Sequence, residues 1–261
     1  MKRFGDVELQ TLGHVTVVEM QRPPYNFFDA ALIGSVADAF ESLDQDVDCR
    51  AVVLAAQGRA FSAGADFKAE SNRNLFAGDP DRGAAELYRH AVRLFRTRKP
   101  IVAAIQGPAI GGGLGLALVA DFRVACEHSC FSANFVHLGV HAGFGISHTL
   151  PRIIGNQAAS LMLYTGHRIG PEEALDMGLA DVLTTEELLR EEAISLAADI
   201  AAAAPLAVES TRETLRSGLA DAVEQQLQRE LAEQQRLAAT LDHAEGVRAV
   251  TERRPGKFTR G

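Results

Sequence analysis

The sequence predicts an α/β domain, and three observations carry that expectation. Short apolar runs alternate with segments of helical periodicity, the pattern of a largely parallel sheet with crossover helices. The 261 residues suffice for one domain with a full core, with room for a small appended subdomain. A composition of 47% hydrophobic and 23% charged residues is ordinary for a globular chain.

Taken in order, residues 7–9 and 14–20 alternate apolar and polar around Gly13, which reads as a hairpin ended by Pro23-Pro24. Asp29 is placed to cap a helix in which Leu32, Val36, Phe40 and Leu43 recur at helical spacing. The apolar run 51–56 reads as a buried strand. Residues 70–83, rich in Asn, Asp and Gly, read as a loop able to close over a ligand. A helix is expected over 84–98 and a strand over 101–106. The glycines 111–113 then open an apolar helix to Ala120, and 122–126 forms another strand. Beyond Pro171 the pattern is helical to the end. Thr184 and Glu187 have capping-box spacing for a helix over 186–204, Pro205 breaks it, and 221–241 is amphipathic.

Composition also excludes partners. A net charge of −8 argues against nucleic acid, which needs a basic face, but not against an anionic small molecule. The three cysteines, Cys49, Cys126 and Cys130, make no disulfide framework and indicate a reducing compartment. No Cys/His cluster completes a metal site near Cys126 and Cys130, so these thiols read as small buried hydrophobes. The N-terminal Met1-Lys2-Arg3 has no apolar stretch behind it, so no signal peptide is expected. The most apolar run, 101–120, is interrupted by Gln106, Pro108 and glycines, which rules it out as a spanning helix. A cytoplasmic protein with no membrane partner is expected.

Two turns carry the chemistry: AFSAGADF at 60–67 and GPAIGGG at 107–113. Small residues let a ligand approach the backbone, and a helix start offers unpaired N–H groups. Tight packing and anion binding explain such turns equally well. Neither matches a nucleotide-binding fingerprint.

The strings RPPYN (22–26), AFSAGADF (60–67), KPIVAAIQGPAIGGGLGLALVADFRVA (99–125), LPRIIGNQAASLMLYTGHRIGPEEALDMGLAD (150–181) and ERRPGKF (252–258) resemble the crotonase superfamily, the enoyl-CoA hydratases and isomerases, in order and spacing over nearly the whole chain. The resemblance implies the ClpP/crotonase fold, a spiral of ββα units, with an α/β core over 1–200. It also implies a helical C-terminal region over 201–261 that serves trimerisation and lids the pocket. It implies a coenzyme A thioester as substrate, with no separate cofactor, and a homotrimer or dimer of trimers. It places the two backbone donors of an oxyanion hole on Ala65 and Gly112. Coenzyme A falls near Arg22, Tyr25, Ala63, Asp66, Phe67 and Gly111.

The departures from the family are as informative. The two hydratase glutamates fall on Gly115 and Phe135, and the later carboxylate position of isomerases and of a dehalogenase falls on Gly143. No carboxylate occurs between Glu127 and Glu172, so ordinary hydration is not expected. His137 and His141 are the candidates for proton transfer. In an extended segment His137 would share a face with Phe135, which makes it the expected catalytic acid. The alternative is a core histidine. Asp66 reads as structural or CoA-related, and Tyr88 and His90 as packing or rim residues. Residues 131–132 and 136–140 are similar to the family's decarboxylases, whose tyrosine falls here on Ala142. A malonyl-type decarboxylase and a non-catalytic acyl-CoA binder are therefore the competing functions.

Overall fold

The computed structural model describes residues 2–66, 75–76 and 82–261. Strands β1 (Lys2–Phe4), β2 (Val7–Leu12) and β3 (Val15–Met20) form an antiparallel meander. The expected hairpin is its second half, with Leu9 opposite Val18. Helix α1 (Ala30–Asp44) starts where the Asp29 carboxylate accepts the Leu32 N–H at 2.9 Å. It crosses to β4 (Ala51–Ala56), which pairs in parallel with β3.

Helix α2 (Ala84–Phe95) leads to β5 (Ile101–Ile105), and the short β6 (Pro108–Ile110) delivers the chain to α3 (Gly112–Ala117). Strands β7 (Phe122–Cys126) and β8 (Cys130–Ser132) follow, then a 3₁₀ turn over Asn134–Leu138 and the long α4 (Ile146–Thr165), which is interrupted at Gly155. Helix α5 (Pro171–Asp176), strand β9 (Val182–Thr184) and helices α6 (Glu186–Ala202), α7 (Pro205–Leu215), α8 (Leu219–Ala238) and α9 (Leu241–Glu252) complete the chain. The larger sheet has the order β1-β2-β3-β4-β5-β7-β9, parallel from β3 onward, while β6 and β8 pair separately.

Strand β4 shows how the core is divided. Val52, Leu54 and Ala56 face the core under α1 and α2, whereas Ala51, Val53 and Ala55 face α6. On α6 the residues against the sheet are Leu189, Ala193, Ala197 and Ala201, one every four. Their small side chains let this helix lie close on the strands.

Three expectations are corrected. Helix α2 stops at Phe95 rather than running to 98. The stretch after Pro171 is not wholly helical, because Val182–Thr184 adds the edge strand β9 beside β7. Thr184 is thereby paired with Cys126 in the sheet, and the residue ahead of α6 is Thr185. Edge pairing to an existing strand outweighed a local capping pattern.

Candidate functional site

The two glycine turns meet because their backbones bond to each other. Ser62 N–H donates to the Pro108 carbonyl at 3.1 Å, and Ile110 N–H donates to the Ser62 carbonyl at 3.0 Å. Residues 25–28 clamp the first turn from beneath. The buried Asn26 amide donates to the carbonyls of Gln57 (2.6 Å) and Ala60 (2.8 Å), Ser62 Oγ donates to the Asn26 carbonyl (2.8 Å), and Phe28 N–H donates to the Gly64 carbonyl (3.0 Å). The RPPYN string is thus largely a structural strap. Gly64 and Gly111, at φ +77° and +56°, turn the two chains in conformations that side-chain-bearing residues rarely adopt.

These turns leave two donors unused. Among the described residues, neither the N–H of Ala65 nor that of Gly112 has an intramolecular acceptor. Both residues line one cavity of about 230 Å³. Glycine at 112 is dictated by packing, since a side chain there would overlap the Phe28 ring. A side chain on Gly113 would overlap the Ser62 carbonyl. Two preorganised N–H groups at the head of an apolar cavity can share one oxygen and hold negative charge as it develops there.

The rest of the cavity is mostly apolar, with Phe27, Leu87, Leu138, Val140 and Phe144 among its walls. Asp66 is the only acidic residue among the described lining, and no histidine is there. The three positions to which the resemblance assigns carboxylates are filled otherwise. A Cβ on Gly115 would lie 2.7 Å from the Phe144 ring, and Phe144 is held at φ +63°. Phe135 lines the cavity itself. A Cβ on Gly143 would overlap the Tyr88 hydroxyl and the Gln234 amide.

Tyr88 and Gln234 are the buried polar pair of this wall. The Tyr88 hydroxyl donates to Gln234 Oε1 at 2.7 Å, and Gln234 Nε2 donates to the His141 carbonyl at 3.0 Å. Burial, with the nearby Glu230 carboxylate, pushes the Tyr88 phenol up from its usual range, so it stays protonated. Glu230 is itself fully buried and pushed up by burial, and it caps the start of α4 through Gly145 N–H (2.8 Å) and Ser147 N–H (3.1 Å).

Of the residues singled out in the sequence, Ala63, Ala65, Asp66, Gly111 and Gly112 come together around the cavity. Phe67 and most of the 70–83 loop lie outside the described residues. Arg22 and Tyr25 are not among the lining residues. Arg22 instead pairs with Asp6 (2.6 Å) and Asp29 (2.9 Å), and the exposed Tyr25 packs against Phe27.

The expectation for His137 is overturned at its premise. Residues 134–138 form a 3₁₀ turn rather than a strand, so residues two apart do not share a face. His137 is exposed, its ring beside Gly166, and it is absent from the cavity wall. The turn is packed by α9, where His243 Nδ1 bonds the Leu138 carbonyl at 2.7 Å, and Gly139 ends it at φ +67°. His141 is half-buried and also off the wall.

Tyr88 belongs to the wall, not only to packing, and Asn134 and Gln234 line the cavity although neither was singled out. A signal for Gln234 was available. Val223, Leu227, Glu230 and Gln234 follow the spacing of the buried stripe of α8, and a polar residue on such a stripe needs a reason. Cys49 and Cys130 are pushed up by burial, which fits inert thiols. No group of three or more His, Cys, Asp or Glu suited to a metal occurs among the described residues. Nor is any single helix among them long and apolar enough to cross a membrane.

Known proteins agree with this architecture. A putative enoyl-CoA hydratase of Thermus thermophilus is 34% identical over 94% of this chain and 98% of its own length. The human mitochondrial Delta(3,5)-Delta(2,4)-dienoyl-CoA isomerase is 30% identical over 92% of this chain and 76% of its own. The crystal structure of an enoyl-CoA hydratase/isomerase from Pseudoalteromonas atlantica superimposes with a TM-score of 0.86 at 28% identity, covering 97% of this chain and all of that one. The sequence profile of the family described as Enoyl-CoA hydratase/isomerase matches residues 10–261. This chain belongs to the enoyl-CoA hydratase/isomerase family.

Proposed function

We propose that the protein binds an acyl-CoA thioester with its carbonyl oxygen between the N–H groups of Ala65 and Gly112 and stabilises the enolate that forms there. The supporting observation is that these two donors lack acceptors and line one apolar cavity. Each such donor contributes about 3 kcal/mol when charge moves onto the oxygen. Relatives named for enoyl-CoA and dienoyl-CoA reactions fit a thioester substrate. Coenzyme A is then part of the substrate, and no further cofactor is required.

Ordinary hydration is not the reaction in this proposal. Water addition needs a positioned base, and Gly115, Phe135 and Gly143 supply none. Decarboxylation of a malonyl-type thioester is the second reading. Loss of CO₂ leaves the bond electrons on the α-carbon as the enolate, so no base is needed, and Ala142 in place of the decarboxylases' tyrosine is offset by the Tyr88 phenol beside Gly143. We also read the chain as a cytoplasmic homotrimer or dimer of trimers. The exposed Leu161 and Tyr164 on α4 suit a subunit contact, which light scattering would test.

The deciding experiment incubates the protein with enoyl-, malonyl- and β-ketoacyl-CoA esters and reads the products by mass. A new product from any of them supports the enzyme. Saturable binding without product makes this an acyl-CoA binder, and absence of binding refutes the site.

A further inference from the structure

The cavity contains a donor that its own fold leaves unused. Gln234 is 1% exposed and lines the cavity, yet only one of its two amide N–H groups has an acceptor among the described residues, the His141 carbonyl at 3.0 Å. Its carbonyl is taken by the Tyr88 hydroxyl at 2.7 Å. The pair is therefore locked in orientation, with the second Gln234 N–H unpaired. A buried N–H without an acceptor is costly, and a ligand atom that accepts from it recovers that cost.

Its position relative to the oxyanion turns follows from a chain of ring contacts. The Phe28 ring backs Gly112, and the Phe144 ring lies 5.5 Å from that of Phe28, centroid to centroid. Gly143, next to Phe144, has the Tyr88–Gln234 pair against it. Ala65, Gly112, Phe144 and Gln234 line one cavity, so an acyl chain whose thioester oxygen sits on Ala65 and Gly112 shares its space with this amide donor. That donor is uncharged and comes from α8, whereas the family's carboxylates come from other segments.

We propose that Gln234, oriented by Tyr88, recognises an acceptor oxygen carried on the acyl chain close to the thioester, so that the preferred substrates are β-oxygenated acyl-CoAs. This rests on the oxyanion-hole reading and adds the chemical class of the acyl group to it. An acceptor is required because the free group is an N–H. Both a β-ketone and a β-carboxylate meet that requirement. A saturated chain leaves the N–H unpaired, and a site built around such a donor discriminates against the analogue that lacks the oxygen.

Titration calorimetry with butyryl-CoA, acetoacetyl-CoA and malonyl-CoA tests this on the wild type, Tyr88→Phe and Gln234→Leu. The wild type is expected to bind at least one oxygenated ester about tenfold or more tightly than butyryl-CoA. Gln234→Leu should abolish that preference, and Tyr88→Phe should reduce it severalfold, each read as the ratio of oxygenated-ester to butyryl-CoA affinity within the same variant. Preference for acetoacetyl-CoA alone assigns a neutral β-oxo acid, and for malonyl-CoA alone a β-carboxy acid. Should Tyr88→Phe fail to fold, Gln234→Leu decides. Equal binding of all three esters by the wild type, or an unchanged preference in Gln234→Leu, overturns the assignment and leaves the oxyanion hole standing. Failure of every ester to bind overturns both.

Discussion

The two sides of the cavity differ in what holds them. On the side of the two glycine turns the open groups are backbone N–H groups, positioned by main-chain bonds between residues 62 and 108–110 and by glycines that neighbouring atoms crowd. On the other side, the positions to which the resemblance assigns carboxylates carry Gly115, Phe135 and Gly143, with Phe144, Tyr88 and Gln234 filling the space. A backbone donor cannot be exchanged without rebuilding the turn. A side-chain acid can be exchanged one residue at a time, provided something fills its volume. Under the proposed function, binding geometry and acid–base chemistry are therefore separable, the first resting on backbone and the second on side chains.

The largest effect should come from breaking the oxyanion side. Gly112→Pro removes a donor and forces ring atoms toward Phe28, so acyl-CoA affinity should fall by about 100-fold or more, measured by calorimetry. Retention of wild-type affinity would remove Gly112 from the site.

Restoring acids on the other side should succeed at one position and fail at another. Gly115→Glu collides with the Phe144 ring and should cost about 1–3 kcal/mol or more in denaturant unfolding. Phe135→Glu points a half-buried side chain into the cavity and should fold with a smaller loss. Neither single change should bring crotonyl-CoA hydration to the rate of an efficient hydratase, because the second acid would still be missing.

A smaller, pH-dependent effect concerns the chain end, from which Thr251 and Arg253 reach the cavity. Glu245 accepts from Arg254, from the Lys257 N–H (3.0 Å) and from Arg248, which together hold its carboxyl down at about 2. A carboxyl lowered in the folded state stabilises above its unfolded value near 4.5 and loses that contribution as pH falls toward 2. Hydrogen exchange at residues 253–258 should thus rise on acidification across that window. In Glu245→Gln it should be fast already at neutral pH.

The smallest effect is expected at His137. With its ring exposed beside Gly166, His137→Ala should change thioester binding, and any turnover found, by less than about twofold. A loss of about 100-fold in kcat with unchanged binding would return the histidine to the mechanism.

Much was legible before any coordinates. The hairpin, the Asp29 cap, the β4 strand and the glycine turns are local patterns, in which alternation, helical spacing and turn chemistry act within a few residues. Ala65 and Gly112 were reached through resemblance, and the open N–H groups fit that placement. His137 was placed beside Phe135 on the condition of an extended segment, which the 3₁₀ turn packed by α9, more than 100 positions along, does not meet.

By itself the sequence determined that this is an α/β chain of the enoyl-CoA hydratase/isomerase family with two glycine-containing turns and no carboxylate between Glu127 and Glu172. These depend on residue identity and local order. Only the tertiary structure decided what fills the wall at Gly143, because Tyr88 and Gln234 are 146 positions apart and meet where α8 packs beside α2. Their bond arises from burial and approach in three dimensions, which no spacing along the chain encodes.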